Sequence, residues 1–167
     1  LDADDSWATE KLAKHVVHLN GNPKVGVSYC PSLFMDENGN MMGIGQFPKL
    51  TNISFKDVLC RNPVGNGSAP VIRRRLLADL ATIGTESGRK YYFDEALRQS
   101  EDIELWVRIA LLGSGKFEGI ATPLTHYRIN DDGLSANLNK QFASWTLAMS
   151  KNIQTNKQLF KRLLPLA

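Results

Sequence analysis

Ile103, Trp106, Val107, Ala110 and Leu111 recur at i, i+3, i+4, i+7 and i+8, the spacing of a helix that carries one apolar stripe and has to bury it. Such a stripe needs a second layer, and short strand patterns stand on both sides of it. Residues 25–30 and 33–35 precede the helix, and residues 117–121 and 124–128 follow it. Asp36-Glu37-Asn38-Gly39-Asn40 carries the Asn-Gly signal of a hairpin turn, with Met41 to Ile44 returning. Helix alternating with strand predicts an α/β fold. On the wet side of the same helix, Glu104 and Arg108 stand at i, i+4 and are expected to pair.

Further helices are predicted at both ends of the chain. Asp5 or Ser6 can cap a first one, in which Ala8, Leu12, Val16 and Leu19 recur until Asn20-Gly21-Asn22-Pro23 stops the run. A short helix is expected over 54–60, a Gly- and Pro-rich loop over 62–70, a strand over 71–74 and a helical turn over 75–80. From about Leu138, a last helix places Leu138, Phe142, Trp145 and Met149 at i, i+4, i+7 and i+11. At 167 residues and 43% hydrophobic content the chain can bury one good core. We divide it into residues 1–137 and a helical tail, 138–167.

The net charge of +3 is mild, and Arg73-Arg74-Arg75 has no interleaved aromatics, which argues against a nucleic-acid partner. Cys30 and Cys60 have neither zinc-ligand spacing nor disulfide-scaffold density, so reduced thiols in a cytoplasmic setting are expected. No stretch approaches the roughly 20 apolar residues of a membrane span. Only Leu1 remains of a strand that should precede Asp2, and there is no initiator methionine. The expectation is the C-terminal part of a longer protein.

Two acidic clusters carry the functional reading, Asp2-Ala3-Asp4-Asp5 and Glu101-Asp102. Carboxylates at D-x-D spacing repel one another, so a fold tolerates them best around a cation, and a diphosphate cannot approach them without it. If the second cluster faces the first, Asp102 is free to accept a proton. An EF-hand loop is excluded, because its sixth and twelfth positions would be Trp7 and Ala13. Asp36 to Phe47 fails the same pattern and reads as a turn. His126 reads as a partly buried histidine without a ligand.

Taken together, these residues resemble family 2 glycosyltransferases of the GT-A fold. Leu1-Asp2-Ala3-Asp4-Asp5-Ser6-Trp7 with Lys11-Leu12 looks like the family's metal loop and following helix. Asn66-Gly67-Ser68 before an apolar strand and Arg73-Arg74 begins the second half of the likeness. Tyr92-Phe93-Asp94-Glu95-Ala96-Leu97, then Ser100-Glu101-Asp102-Ile103-Glu104-Leu105-Trp106-Val107-Arg108, and Tyr127-Arg128 with Leu134-Ser135 follow in the family's order. The likeness covers roughly residues 1 to 138.

The resemblance implies a GT-A-like mixed sheet flanked by helices, lacking the N-terminal nucleotide-binding half. It implies inverting transfer of a sugar from a nucleotide-sugar donor to an acceptor hydroxyl. Asp4 would hold Mg²⁺ or Mn²⁺ on the donor diphosphate, Asp2 would contact the ribose or the metal shell, and Asp102, beside Glu101, would be the base. Asn66, Gly67 and Ser68 would lie under the donor sugar or acceptor, and Tyr127 and Arg128 near the phosphates. The missing Q-x-x-R-W signature implies single addition, as in bacterial surface-polysaccharide or glycolipid synthesis. Without the nucleotide-binding half, the chain alone is expected to be inactive. A saccharide or lipid-linked acceptor is expected, with peripheral contact of the basic tail at the inner face of the membrane. Two other classes stay open: a non-catalytic fragment or interaction module, and a metal-dependent nucleotidyltransferase, which would release pyrophosphate.

Overall fold

A computed structural model describes residues 1–83, 89–130 and 138–163. The chain begins β1 (Ser6–Trp7), α1 (Lys11–Gly21), β2 (Val25–Tyr29), β3 (Ser32–Met35) and β4 (Met41–Gln46). Next come α2 (Phe55–Cys60), β5 (Val71–Ile72), α3 (Arg74–Leu80), β6 (Thr82–Ile83), β7 (Lys90–Tyr91) and α4 (Glu101–Leu112). It ends with β8 (Lys116–Gly119), β9 (Thr125–Arg128), α5 (Leu138–Thr155) and α6 (Lys157–Leu163). One mixed sheet has the order β1-β9-β3-β4, with β9 parallel to β3 and antiparallel to β1. A second, β5-β2-β8, pairs β2 parallel to β8. The fold is α/β, with mixed sheets flanked by helices. Among the described residues, no helix is long and apolar enough to cross a membrane. Leu134-Ser135 lie outside the described residues.

Local chemistry accounts for several elements. Gly39 takes φ +87° at the β3–β4 turn, and the Asp36 carboxylate accepts from the Asn40 amide at 2.8 Å. Ser54 caps α2 reciprocally with Asp57, the capping-box arrangement. Two arginines of the basic run are spent on backbone: Arg73 donates to the Val25 carbonyl at 2.7 Å and to that of Leu19, and Arg75 to that of Pro23 at 2.9 Å. Cys30 and Cys60 are free thiols.

The α4 helix is the centre of the core. Leu105, Val107 and Ile109 are fully buried, and Trp106 meets Phe117 of β8 edge-on at 6.1 Å between ring centroids. Glu104 pairs with Arg108 as expected, at 2.9 Å, but the pair is not on a wet side, because Glu104 is only 7% exposed. The cover comes from α5, whose buried Asn152 reaches Glu104 at 3.4 Å, and from the chain at Leu80 and Tyr92, whose carbonyls accept from Arg108 at 2.8 Å.

Two other faces differ from the spacing rule. The α1 helix starts at Lys11, not beside Asp5, because Ser6 and Trp7 first pair with β9 and the Ala8 amide donates to the Leu124 carbonyl. Its buried side is Lys11, His15 and Leu19, while Leu12 and Val16 are 55% and 45% exposed. His15 and His18 both face the Ser28 hydroxyl, at 2.7 and 2.8 Å, so β2 and α1 are joined by polar contacts where apolar ones were expected. In α5, Met149 is buried but Leu138 and Phe142 are not.

Because the Glu104–Arg108 pair is buried, removing one partner strands the other. Glu104→Ala is expected to lower stability by about 3 kcal/mol, read as a shift in the denaturant midpoint. An unchanged midpoint would reject this account of α4.

Candidate functional site

The site begins with a loop that hydrogen-bonds to itself. Asn62 donates to the Gly65 carbonyl at 2.7 Å and accepts from the amides of Val64 and Gly65. Asn66 accepts from the Ser68 amide at 3.1 Å and donates to the Ser32 hydroxyl at 2.8 Å, which ties the loop to β3. Ser68 is thereby fixed and buried, and it serves two partners. Its hydroxyl accepts from the Asp2 amide at 2.9 Å, and its carbonyl accepts from the Trp7 indole at 2.8 Å. A Cβ on Gly67 would sit 3.4 Å from an Asp2 carboxylate oxygen, so loop and acid lie against each other.

Beneath this contact lies Lys11, fully buried. Its ammonium donates to the Ala69 carbonyl at 2.7 Å, the Thr125 hydroxyl at 2.7 Å and the Cys30 sulfur at 3.2 Å, and sits 5.0 Å from the Trp7 ring centroid. All three of its donors are used. Burial pulls the Lys11 pKa below the usual lysine range, opposed by Cys30.

From the other side the acidic loop is held by β9. The Arg128 amide donates to the Asp5 carboxylate at 2.9 Å, and its guanidinium to the carbonyls of Asp4 (2.8 Å), Asp36 (2.9 Å) and Glu37 (2.7 Å). Asn130 donates to the Asp4 carboxylate at 3.1 Å. Burial pushes the Asp5 carboxyl up; the Ser68 hydroxyl and the Arg128 amide pull it back, and the charges of Asp4 and Asp2 push it further up. One Asp5 oxygen is buried with no hydrogen-bond partner among the described residues.

Asp102 stands in the first turn of α4, two residues after Ser100, which is buried at φ +62°. A left-handed serine is a strained conformation, and here it starts the helix without a side-chain cap. Asp102 accepts from the Ile103 amide at 2.7 Å. Burial pushes its pKa up to about 6; that amide opposes the shift, and the charges of Glu101 and Asp2 reinforce it. The Asp2 charge, the smallest of these causes, comes from the acidic turn a hundred positions earlier in the chain.

The fold therefore brings Asp2, Gly67 and Ser68 together, with Asn66 one step behind as an anchor and Asp4 on the same acidic turn, while Glu101 and Asp102 stand in the first turn of α4. It turns Tyr127 toward Phe34, ring centroids 6.0 Å apart, and spends the Arg128 guanidinium on loop carbonyls. Spacing alone did not reveal the holding roles of Lys11, Asn130 and Ser68. Lys11 and Ser68 stood inside the family-like motifs, but nothing local marks Asn130.

The acidic turn offers two kinds of hard oxygen. Asp2 and Asp4 are exposed hard-oxygen carboxylates, and the orphaned Asp5 oxygen lies in the same loop. Among the described residues, no three His, Cys, Asp or Glu side chains form a ready cage. Small divalent ions commonly take one or two carboxylates and complete their shell with phosphate oxygens and water.

No family profile matches the chain. It is 26% identical over 147 residues to an uncharacterized glycosyltransferase of Methanocaldococcus jannaschii, a match covering 84% of this chain and 45% of that protein. The chain thus spans less than half the length of that relative.

Asp102 has a measurable thermodynamic signature. Its carboxyl loses a proton near 3.8 when unfolded and near 6 in the fold, so both states are protonated below about pH 4 and the fold carries the full cost above about pH 6. Asp102→Asn is expected to stabilise the protein at pH 7 by up to about 3 kcal/mol, a gain that vanishes as pH falls to about 4. Denaturation curves at the two pH values check it, and equal effects at both would refute the shift.

Proposed function

We propose that the chain is the acceptor-side portion, residues 1–137 with a helical tail, of an inverting, divalent-cation-dependent glycosyltransferase. It moves one sugar from a nucleotide-sugar donor to an acceptor hydroxyl. The observation that carries this reading is Asp102, a carboxylate raised to about 6 by burial and by the charges of Glu101 and Asp2. A base in that range is ionised at neutral pH and still basic enough to take a proton from a hydroxyl as it attacks. Asp4, with Asp2, would hold Mg²⁺ or Mn²⁺, which when bound offsets the charge on a leaving nucleoside diphosphate. Gly67, exposed against the Asp2 carboxylate, would face the donor sugar or acceptor, and buried Ser68 would hold the loop behind it. The greater length of the relative is compatible with a nucleotide pocket outside the matched segment.

Asp102→Asn in the full-length enzyme is expected to cut turnover by about 100-fold or more while donor affinity stays nearly intact, since the lost interaction belongs to the transition state. Glu95→Gln, at an exposed ion pair with Arg89, is the control; Glu104 cannot serve, being buried. Equal losses in both variants would count against the base.

Wild-type turnover should fall as pH drops through about 6, where Asp102 takes up its proton. Asp4→Asn is expected to cost about 100-fold, roughly 3 kcal/mol of barrier. Undiminished transfer in excess chelator would rule out the cation, and pyrophosphate as the released product would favour a nucleotidyltransferase.

A further inference from the structure

Leu138, Phe142, Trp145, Met149 and Ile153 fall on one stripe of α5. Leu138 and Phe142 are 74% and 69% exposed, and Met149 is buried. The lower end of the stripe, Trp145 to Ile153, lines an open apolar groove of about 720 Å³ whose opposite walls include Val58, Leu59, Ile103 and Phe160. The stripe therefore runs unbroken from the free surface into the groove. Phe142 stacks on Trp145 at 6.1 Å, with 19° between the rings, and forms the lip.

Charge identifies what this surface suits. Between Leu138 and Leu163 the sequence has no aspartate or glutamate, against Lys140, Lys151, Lys157, Lys161 and Arg162. Lys151 is paired with Asp94, and Arg61 is the charged side chain in the groove wall. A cationic, acid-free pair of helices with an exposed apolar stripe complements an anionic lipid surface. It does not complement a second copy of itself, since a two-fold contact would set the same cations face to face.

Two residues of the groove wall adjoin site residues along the chain. Ile103 in its wall follows Asp102, and Asn62 in its wall opens the loop that ends on Ser68.

We propose that α5 docks on an anionic bilayer through Leu138 and Phe142, and that the groove receives one hydrocarbon chain of a lipid-anchored acceptor. This brings the acceptor hydroxyl to Asp102. That the lipid is the acceptor rests on the glycosyltransferase reading; the docking does not.

The test uses the intact protein with phosphatidylglycerol/phosphatidylcholine vesicles and with phosphatidylcholine alone. Co-sedimentation is expected with the anionic vesicles only, and it should be lost at high salt. The double variant Leu138→Asp/Phe142→Asp changes two exposed positions, so its melting temperature should hold while vesicle affinity falls by about tenfold or more. Brominated acyl chains should quench the protein's fluorescence, and Trp145→Phe should remove most of that quenching. No sedimentation at low salt, undiminished binding by the double variant, or a lipid-independent dimer abolished by it would overturn the proposal. Vesicle binding by a protein that transfers no sugar would support the docking and overturn the glycosyltransferase reading alone.

Discussion

One buried ammonium holds this site together. Lys11 has no exposed surface, and its three acceptors come from three separate chain segments: the end of the Asn62–Pro70 loop, the first residue of β9 and the cysteine after β2. A buried charge is costly unless its hydrogen bonds are met, so the cation is stable only while all three segments stay in place. Ala69 is then fixed, Ser68 beside it is fixed, and through Ser68 so are the Asp2 amide and the Trp7 indole. The acidic loop owes its position less to its acids than to a lysine it does not touch.

That support works against an opposing tension. Asp2, Asp4 and Asp5 crowd one turn, and Asp102 feels the Asp2 charge across the site. Arg128 holds the turn by donating its amide to the Asp5 carboxylate and its guanidinium to loop carbonyls, leaving the Asp2 and Asp4 carboxylates exposed. The acidic turn carries a raised carboxyl and an orphaned oxygen at Asp5, and the start of α4 carries a raised carboxyl at Asp102 and a left-handed Ser100. Unrelieved local costs of this kind gather where function requires them.

The elements written in local chemistry were legible in the sequence: the Asn-Gly hairpin, the short helix from Ser54, the α4 stripe and the short strands on either side. Faces set by distant partners were not. Leu12 and Val16 have the right spacing for a core, but three acceptors at positions 30, 69 and 125 draw Lys11 inward and rotate α1 away from that register. Glu104 reads as solvated until α5 covers it, and no window around residue 104 contains α5. The acidic clusters stood out by composition, and the likeness to a family suggested that they meet. Their supports by Arg128 and Asn130 depend on β1 pairing with β9, a register no local pattern encodes.

The two halves of the site differ in stiffness, and the difference suits the proposed chemistry. Asp102 rides on α4, whose next turns hold Leu105, Trp106 and Val107 in the centre of the core. A base on such a helix is aimed by packing, and a small misplacement of a base costs rate steeply. Asp4 lies on an exposed loop, its carboxylate restrained by a 3.1 Å bond from Asn130. A carboxylate held that lightly can turn to follow a cation and the phosphates it carries. Rigid aim at the reacting hydroxyl and freedom at the leaving group follow from one placing its acid on the core helix and the other on a surface turn.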